Sequence, residues 1–328
     1  MYLLEKGNSF QSKLSSDFLN LIYQRRNSEY LPKKSTEFKQ INECLDKYYT
    51  KHNVAKDCYE HLKIVLRNIG VDPTNILFIE PSAGSGAFMK QIAEECIGFD
   101  IAPASEEIIR ADFLNQNILE HLTVGQRKKP IAFIGNPPFG KKSSLAIDFI
   151  NKALGYSNLV AFIVPVQFRK WSAQSKISRD AKLLFDMTLA ENSFELVGKD
   201  YDLRCCFQVW GTGFENEPDM RIKEKPSTFH LDFEIYQYNR TEQAEKFFEY
   251  EWDFAVPRQG YQDYTKKVFS KDECDKKQQW IFFKAKNKKI LKRLLALDFV
   301  KLSKKNIGTP GFGKADVVFE YIEKYEKQ

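Results

Sequence analysis

The stretch Ile131-Ala132-Phe133-Ile134-Gly135-Asn136-Pro137-Pro138-Phe139-Gly140 reads as an apolar strand that stops at a stiff polar tip. A short apolar run bounded by turn residues suits a strand buried in a parallel sheet. Consecutive prolines fix φ and bring no N–H donors, so the carbonyls of Asn136 and Pro137 stay open to a donor from outside. In open α/β sheets ligands gather at the carboxyl ends of the strands, where this tip lies. An exocyclic amine would suit two such acceptors, and Phe139 would suit the flat ring carrying it. Taken alone, a proline pair also serves as a plain strand terminator.

Upstream, Asn75 to Phe88 reads Asn-Ile-Leu-Phe-Ile-Glu-Pro-Ser-Ala-Gly-Ser-Gly-Ala-Phe: a short strand, an acidic residue at its end, a glycine-bearing turn and then a helical stretch through about Glu95. Gly84 and Gly86 permit unusual dihedrals and close approach of a ligand, and a helix start offers free N–H groups. Met89 stands where a dinucleotide fingerprint would carry its third glycine, and no Gly-Lys-Ser/Thr follows, which speaks against a polyphosphate. A nucleoside fits better. Ile97 to Ile101 is a second short strand with Asp100 near its end, placed to hold ribose hydroxyls, and Asp112 with Phe113 is placed to meet an adenine. Each aspartate taken singly reads equally well as a loop or cap residue.

In this order the segments resemble the class I S-adenosylmethionine-dependent methyltransferases that act on the adenine amine of DNA. Glu80-Pro81-Ser82-Ala83-Gly84-Ser85-Gly86 is similar to the family's cofactor loop, and Asn136-Pro137-Pro138-Phe139 to its catalytic tetrapeptide. Tyr49-Thr50 through Cys58 resembles the additional cofactor motif of the subgroup whose target-recognition region is C-terminal, with Lys51 where proline is usual. The resemblance covers residues 46–212. It implies S-adenosylmethionine as cofactor, held by Thr50, Glu80, Pro81, Ser82, Ala83, Gly84, Gly86, Asp100, Ile101, Asp112, Phe113 and Asn136. It implies DNA as substrate, with RNA next, either a restriction endonuclease as companion or an orphan enzyme, and base flipping, with Phe139 on one face of the base and Phe207 on the other. Methyltransferases for the guanine amine of RNA and for a protein glutamine amide share the tetrapeptide, because all present a planar conjugated nitrogen. A non-catalytic nucleic-acid-binding subunit is the reading from outside the enzymes.

The remaining pattern alternates. Ser144 to Leu154 has helical spacing, Asn158 to Val166 is a nearly continuous apolar strand, and Ala173 to Leu189 supplies the next helix. Phe194 to Val197 and Cys205 to Trp210 read as the closing antiparallel strands. The expected fold is α/β: a Rossmann-like, doubly wound, mostly parallel seven-stranded sheet followed by a C-terminal α+β substrate-recognition region. Three regions result: a helical extension over 1–45 with Phe18, Leu19, Leu21 and Ile22 at helical spacing, the catalytic domain over 46–212, and a nucleic-acid-binding region over 213–328.

The 328 residues suffice for two cores. The start lacks an apolar signal region and no run approaches a membrane span, so a cytoplasmic protein without membrane contact is expected. The six cysteines show neither Cys-x-x-Cys nor metal-ligand spacing with histidine, which points to free thiols and no metal. The net charge is +6, unevenly spread. Residues 213–260 carry 6 basic and 11 acidic side chains, whereas 261–328 carry 17 and 9. The densest basic stretch, Lys284 to Lys305, reads as a partly buried helix whose cationic face, with Lys288, Lys289 and Lys292, suits phosphate. A solvated helix has the same composition. The loop Gly308-Thr309-Pro310-Gly311-Phe312-Gly313-Lys314 is placed near the polymer or is a connector.

Overall fold

The computed structural model describes residues 48–140, 143–196, 198–261, 263–305 and 309–327. The helical extension expected over 1–45 therefore lies outside the described residues. Thirteen strands follow in chain order: β1 (Tyr49–Thr50), β2 (Leu77–Glu80), β3 (Cys96–Asp100), β4 (Ile109–Arg110), β5 (Ile131–Gly135), β6 (Leu159–Pro165), β7 (Lys182–Thr188), β8 (Phe194–Leu196), β9 (Lys199–Tyr201), β10 (Cys205–Gly211), β11 (Phe233–Tyr238), β12 (Phe254–Gln259) and β13 (Gln279–Ala285). The helices are α1 (His52–Asn68), α2 (Ser144–Leu154), α3 (Trp171–Gln174), α4 (Glu242–Glu245), α5 (Lys288–Leu295), α6 (Phe299–Ser303) and α7 (Lys314–Tyr325).

Seven strands form one sheet in the order β4-β3-β2-β5-β6-β10-β7, and β10 alone runs opposite to the other six. From β2 the chain goes outward to β3 and β4, then returns to β5 on the other side of β2. The reversal opens a crevice at the carboxyl ends of β2 and β5, the place where such sheets take ligands. Every residue of β2 and β6 is buried, as strands covered on both faces must be.

Phe78 pairs in register with Ala132 and Ile79 with Phe133, so Phe78 and Phe133 point to opposite faces. Tyr59 of α1 meets Phe78 edge-on at 5.7 Å. On the other face Phe149 of α2 lies 5.1 Å from Phe113, which lies 5.5 Å from Phe133. Helices thus cover both faces, each large apolar side chain that they bury contributing about 1.5–3 kcal/mol. No helix among the described residues is long and apolar enough to cross a membrane.

Three elements differ from the sequence reading. After β2 the expected helix to Glu95 is a series of turns, with i to i+4 bonds at Lys90 and Ile92. Ala173 to Leu189 is mostly strand: α3 ends at Gln174 and Lys182–Thr188 is β7, the sheet's edge. The sheet closes with β7 and β10, while Phe194–Leu196 joins β1 and β9 in a separate sheet of order β1-β8-β9.

Beyond Gly211 the antiparallel sheet β11-β13-β12 is covered on both sides. Ile281 and Phe283 pack with Leu294 and Val318 in one apolar cluster, and Trp280 and Phe282 pack with Phe248 and Ala255 in another. These clusters are distinct from the one around the seven-stranded sheet. Of the expected loop at 308–314, Gly308 lies outside the described residues, and Phe312 is buried in the C-terminal cluster.

Candidate active site

The crevice holds a cavity of about 310 Å³. Its wall combines the end of β2 and its loop, the end of β3, Asp112 and Phe113, β1, and the tip after β5. Eleven of the twelve residues expected to hold a cofactor line it, and Gly86 does not. The loop reaches this place because two glycines let it. Gly84 has φ +55°, and a Cβ there would stand 3.1 Å from the Tyr49 ring. At Gly98 a Cβ would collide with Met89 Sδ and stand 2.9 Å from Ala83 Cβ, so β3 and the loop are in direct contact.

Three carboxylates face this cavity. Asp100 accepts from Gly84 N at 2.8 Å and Ala102 N at 2.7 Å, so it ties the loop to β3. Asp112 accepts from Leu114 N at 3.0 Å and Asn115 Nδ2 at 2.8 Å. Both thus have the local cap role that the sequence also allowed, and each carboxylate keeps lone pairs for further donors. Glu80 is 2% exposed, and burial pushes its carboxyl well above the ordinary range despite the Met89 N–H at 3.1 Å. Desolvation disfavours the charged form of a buried carboxyl, and a cation beside it favours that form. The three carboxyl groups are acceptors for the hydroxyls and amines of a nucleoside, and their charge suits a cationic one.

At the tip, Asn136 is held from two sides. Its backbone carbonyl accepts from Ser82 Oγ at 3.1 Å, and its Nδ2 donates to the Tyr48 carbonyl at 3.2 Å. A carbonyl only accepts, so this contact fixes which end of the amide is which. The other end, Oδ1, is buried and has no hydrogen-bond partner among the described residues. Pro138 lines the cavity and Pro137 is buried beside it. Phe139 does not project as the sequence suggested: it is 8% exposed, belongs to the main apolar cluster and is not among the residues lining the cavity.

Phe207 is fully buried in β10, between β6 and β7, and is a core side chain. The aromatics that sequence reasoning missed are Tyr48 and Tyr201. Tyr48 lines the cavity, and its ring stacks on Tyr201 at 4.9 Å between centroids and 28° between planes. The only sequence signal was the presence of aromatic residues just before Thr50 and just before the closing strand.

The basic stretch is not one helix. Lys284 is in β13, Lys288, Lys289 and Lys292 are exposed on α5, and Lys301 is in α6. Lys301, Lys304 and Lys305 line a second, larger cavity of about 1090 Å³ between the seven-stranded sheet's β7 edge and the C-terminal helices. Lys301 and Lys305 pair there with Glu320 at 2.9 and 3.3 Å, and Lys170 with Asp316 at 3.2 Å. All five described cysteines are free thiols, Cys96 partly exposed and the others buried.

No protein family and no curated relative matches the sequence. Among solved structures, the chain is similar to a proposed RNA methyltransferase from Pyrococcus horikoshii, with 16% identity, 51% of this chain and 87% of that chain covered, and a TM-score of 0.37. It is similar to the type IIL restriction-modification enzyme MmeI in complex with DNA at 9% identity, covering 88% of this chain and 67% of that one, with a TM-score of 0.41. The M protein of the type I restriction enzyme EcoKI shows 11% identity, 84% and 70% coverage and a TM-score of 0.33.

Proposed function

We propose that the chain transfers a methyl group from S-adenosylmethionine to the exocyclic N6 amine of adenine in DNA. The observation that carries the reading is the Asn136 Oδ1 acceptor, buried without a partner among the described residues at the tip where the cavity wall meets β5. Leaving a buried acceptor unsatisfied costs about 1–3 kcal/mol, so a fold that keeps one favours a donor brought from outside.

Glu80, the 82–84 loop, Asp100 and Asp112 would hold the cofactor, whose sulfonium supplies an activated methyl group. The chain's own residues would do the rest. An aromatic amine is a weak nucleophile because its lone pair is delocalised into the ring. Two acceptors, Asn136 Oδ1 and the Pro137 carbonyl, favour a pyramidal nitrogen, and their bonds strengthen as positive charge develops there. No strong base is needed, because the nitrogen turns acidic once it carries the methyl group and its extra proton passes to water. Since the amine of a paired adenine is turned inward, the base would have to leave the stack to reach the tip. The exposed cations Lys288, Lys289 and Lys292 are candidates for phosphate contact.

Incubation of the chain with labelled S-adenosylmethionine and, separately, DNA, RNA and a release-factor protein tests the assignment. Label in DNA is expected; label only in RNA or only in protein would move the substrate class, and label in none would remove the activity.

A further inference from the structure

Tyr48 enters the site through both its backbone and its ring. Its carbonyl accepts from Asn136 Nδ2, and its ring stacks on Tyr201. The terminal torsion of an asparagine is soft, so an amide with neither end tied turns freely and presents nitrogen as readily as oxygen. The Tyr48 carbonyl selects the rotamer in which Oδ1 is the untied end.

What holds that carbonyl in place is a set of contacts outside the main sheet. Tyr49 and Thr50 pair with Glu195 and Phe194 of β8. Lys51 N donates to Ser193 O at 3.1 Å, and Lys51 Nζ meets Asp200 of β9 at 2.7 Å. Tyr201 follows Asp200, bringing its ring against Tyr48. Tyr48, Tyr49 and Thr50 also line the cavity.

We propose that the β1-β8-β9 sheet is a positioning clamp: by fixing the Tyr48 carbonyl it sets the Asn136 amide with Oδ1 as acceptor. Tyr48 and Tyr201 are positioning residues, acting through Asn136. The inference rests on the acceptor role assigned to Asn136.

The test uses the full chain with asparagine labelled by nitrogen-15. The Asn136 side-chain amide signal is identified by its absence in Asn136→Ala, and its hydrogen exchange is followed in Tyr201→Leu and Tyr201→Phe. Loss of the stack should make the signal exchange rapidly in Tyr201→Leu, and kcat should fall about tenfold while KM for S-adenosylmethionine stays within about twofold. Tyr201→Phe, which keeps a ring, should retain both. Tyr48→Leu removes the same stack from the other side and repeats the comparison should Tyr201→Leu unfold. A slow-exchanging signal and unchanged kcat in the leucine variants would overturn the clamp. If the unmodified chain methylates no amine while the signal is still lost in Tyr201→Leu, the clamp stands and the proposed activity fails.

Discussion

Glu80 to Gly84 and Asn136 reach the cavity from the ends of β2 and β5, adjacent strands of the main sheet, and each is part of an unbroken sequence motif. Tyr48 lines it just before β1, and Tyr201, at the end of β9, stacks on Tyr48; a three-stranded sheet of two- and three-residue strands brings the two together. The first wall carries the chemical groups and the second carries their orientation. A motif is contiguous because the strand tip that displays it is contiguous, whereas a positioning contact needs only two surfaces that the fold brings together.

The largest effect is expected where the two walls meet. Asn136→Ala removes the acceptor, and loss of one preorganised hydrogen-bonding group of this kind costs about 10²–10³ in kcat. Single-turnover methyl transfer measures it, and a loss below tenfold would remove Asn136 from the chemistry. Next is the packing of the motif wall. Gly98→Val places a side chain where Met89 and Ala83 already stand, and such overpacking is expected to lower stability by about 1–3 kcal/mol in denaturant unfolding. An unchanged midpoint would show that the loop is not pressed onto β3.

Glu80 sharpens the contrast through pH. Burial raises its folded carboxyl well above the ordinary carboxylate range, so the folded chain holds the proton more tightly than the unfolded one. Stability from this group is complete below the ordinary range and is lost as pH rises from there through the folded value. Thermal unfolding of Glu80→Gln should therefore lack a decline that the parent shows, and its cofactor affinity by calorimetry should be weaker. Equal pH profiles would mean that Glu80 ionises freely. The smallest effect concerns neither wall. Replacing Lys288, Lys289 and Lys292 with glutamine should reduce the salt dependence of nucleic-acid binding by up to about 0.9 for each phosphate left without a cation. An unaltered slope would make α5 a solvated helix and direct attention to Lys304 in the large cavity.

The central strands were legible because a buried parallel strand is a short apolar run with a polar residue at its end, as at Ile131 to Asn136 and Leu77 to Glu80. The alternation of strands and helices pointed to a doubly wound sheet, whereas the side of β2 on which β5 returns is set by packing and is seen only in the fold. Lys182 to Thr188 was misread because an edge strand with one covered face carries no unbroken apolar run, and its Leu-Leu-Phe triplet suits a helix as well. Phe207 was misplaced for the opposite reason: β10 is buried along its whole length, so nothing in its sequence marks which aromatic meets a ligand. The orphaned Asn136 oxygen was not legible at all, since it depends on which carbonyl occupies the amide nitrogen.

Identification of the methylated atom tests the central claim most directly. DNA methylated by the chain with labelled S-adenosylmethionine, digested to nucleosides and resolved by mass spectrometry, should carry its label on the exocyclic amine of adenine. Label on a ring carbon or a ring nitrogen would contradict an acceptor pair at Asn136 and Pro137, because neither position has amine hydrogens for them to hold.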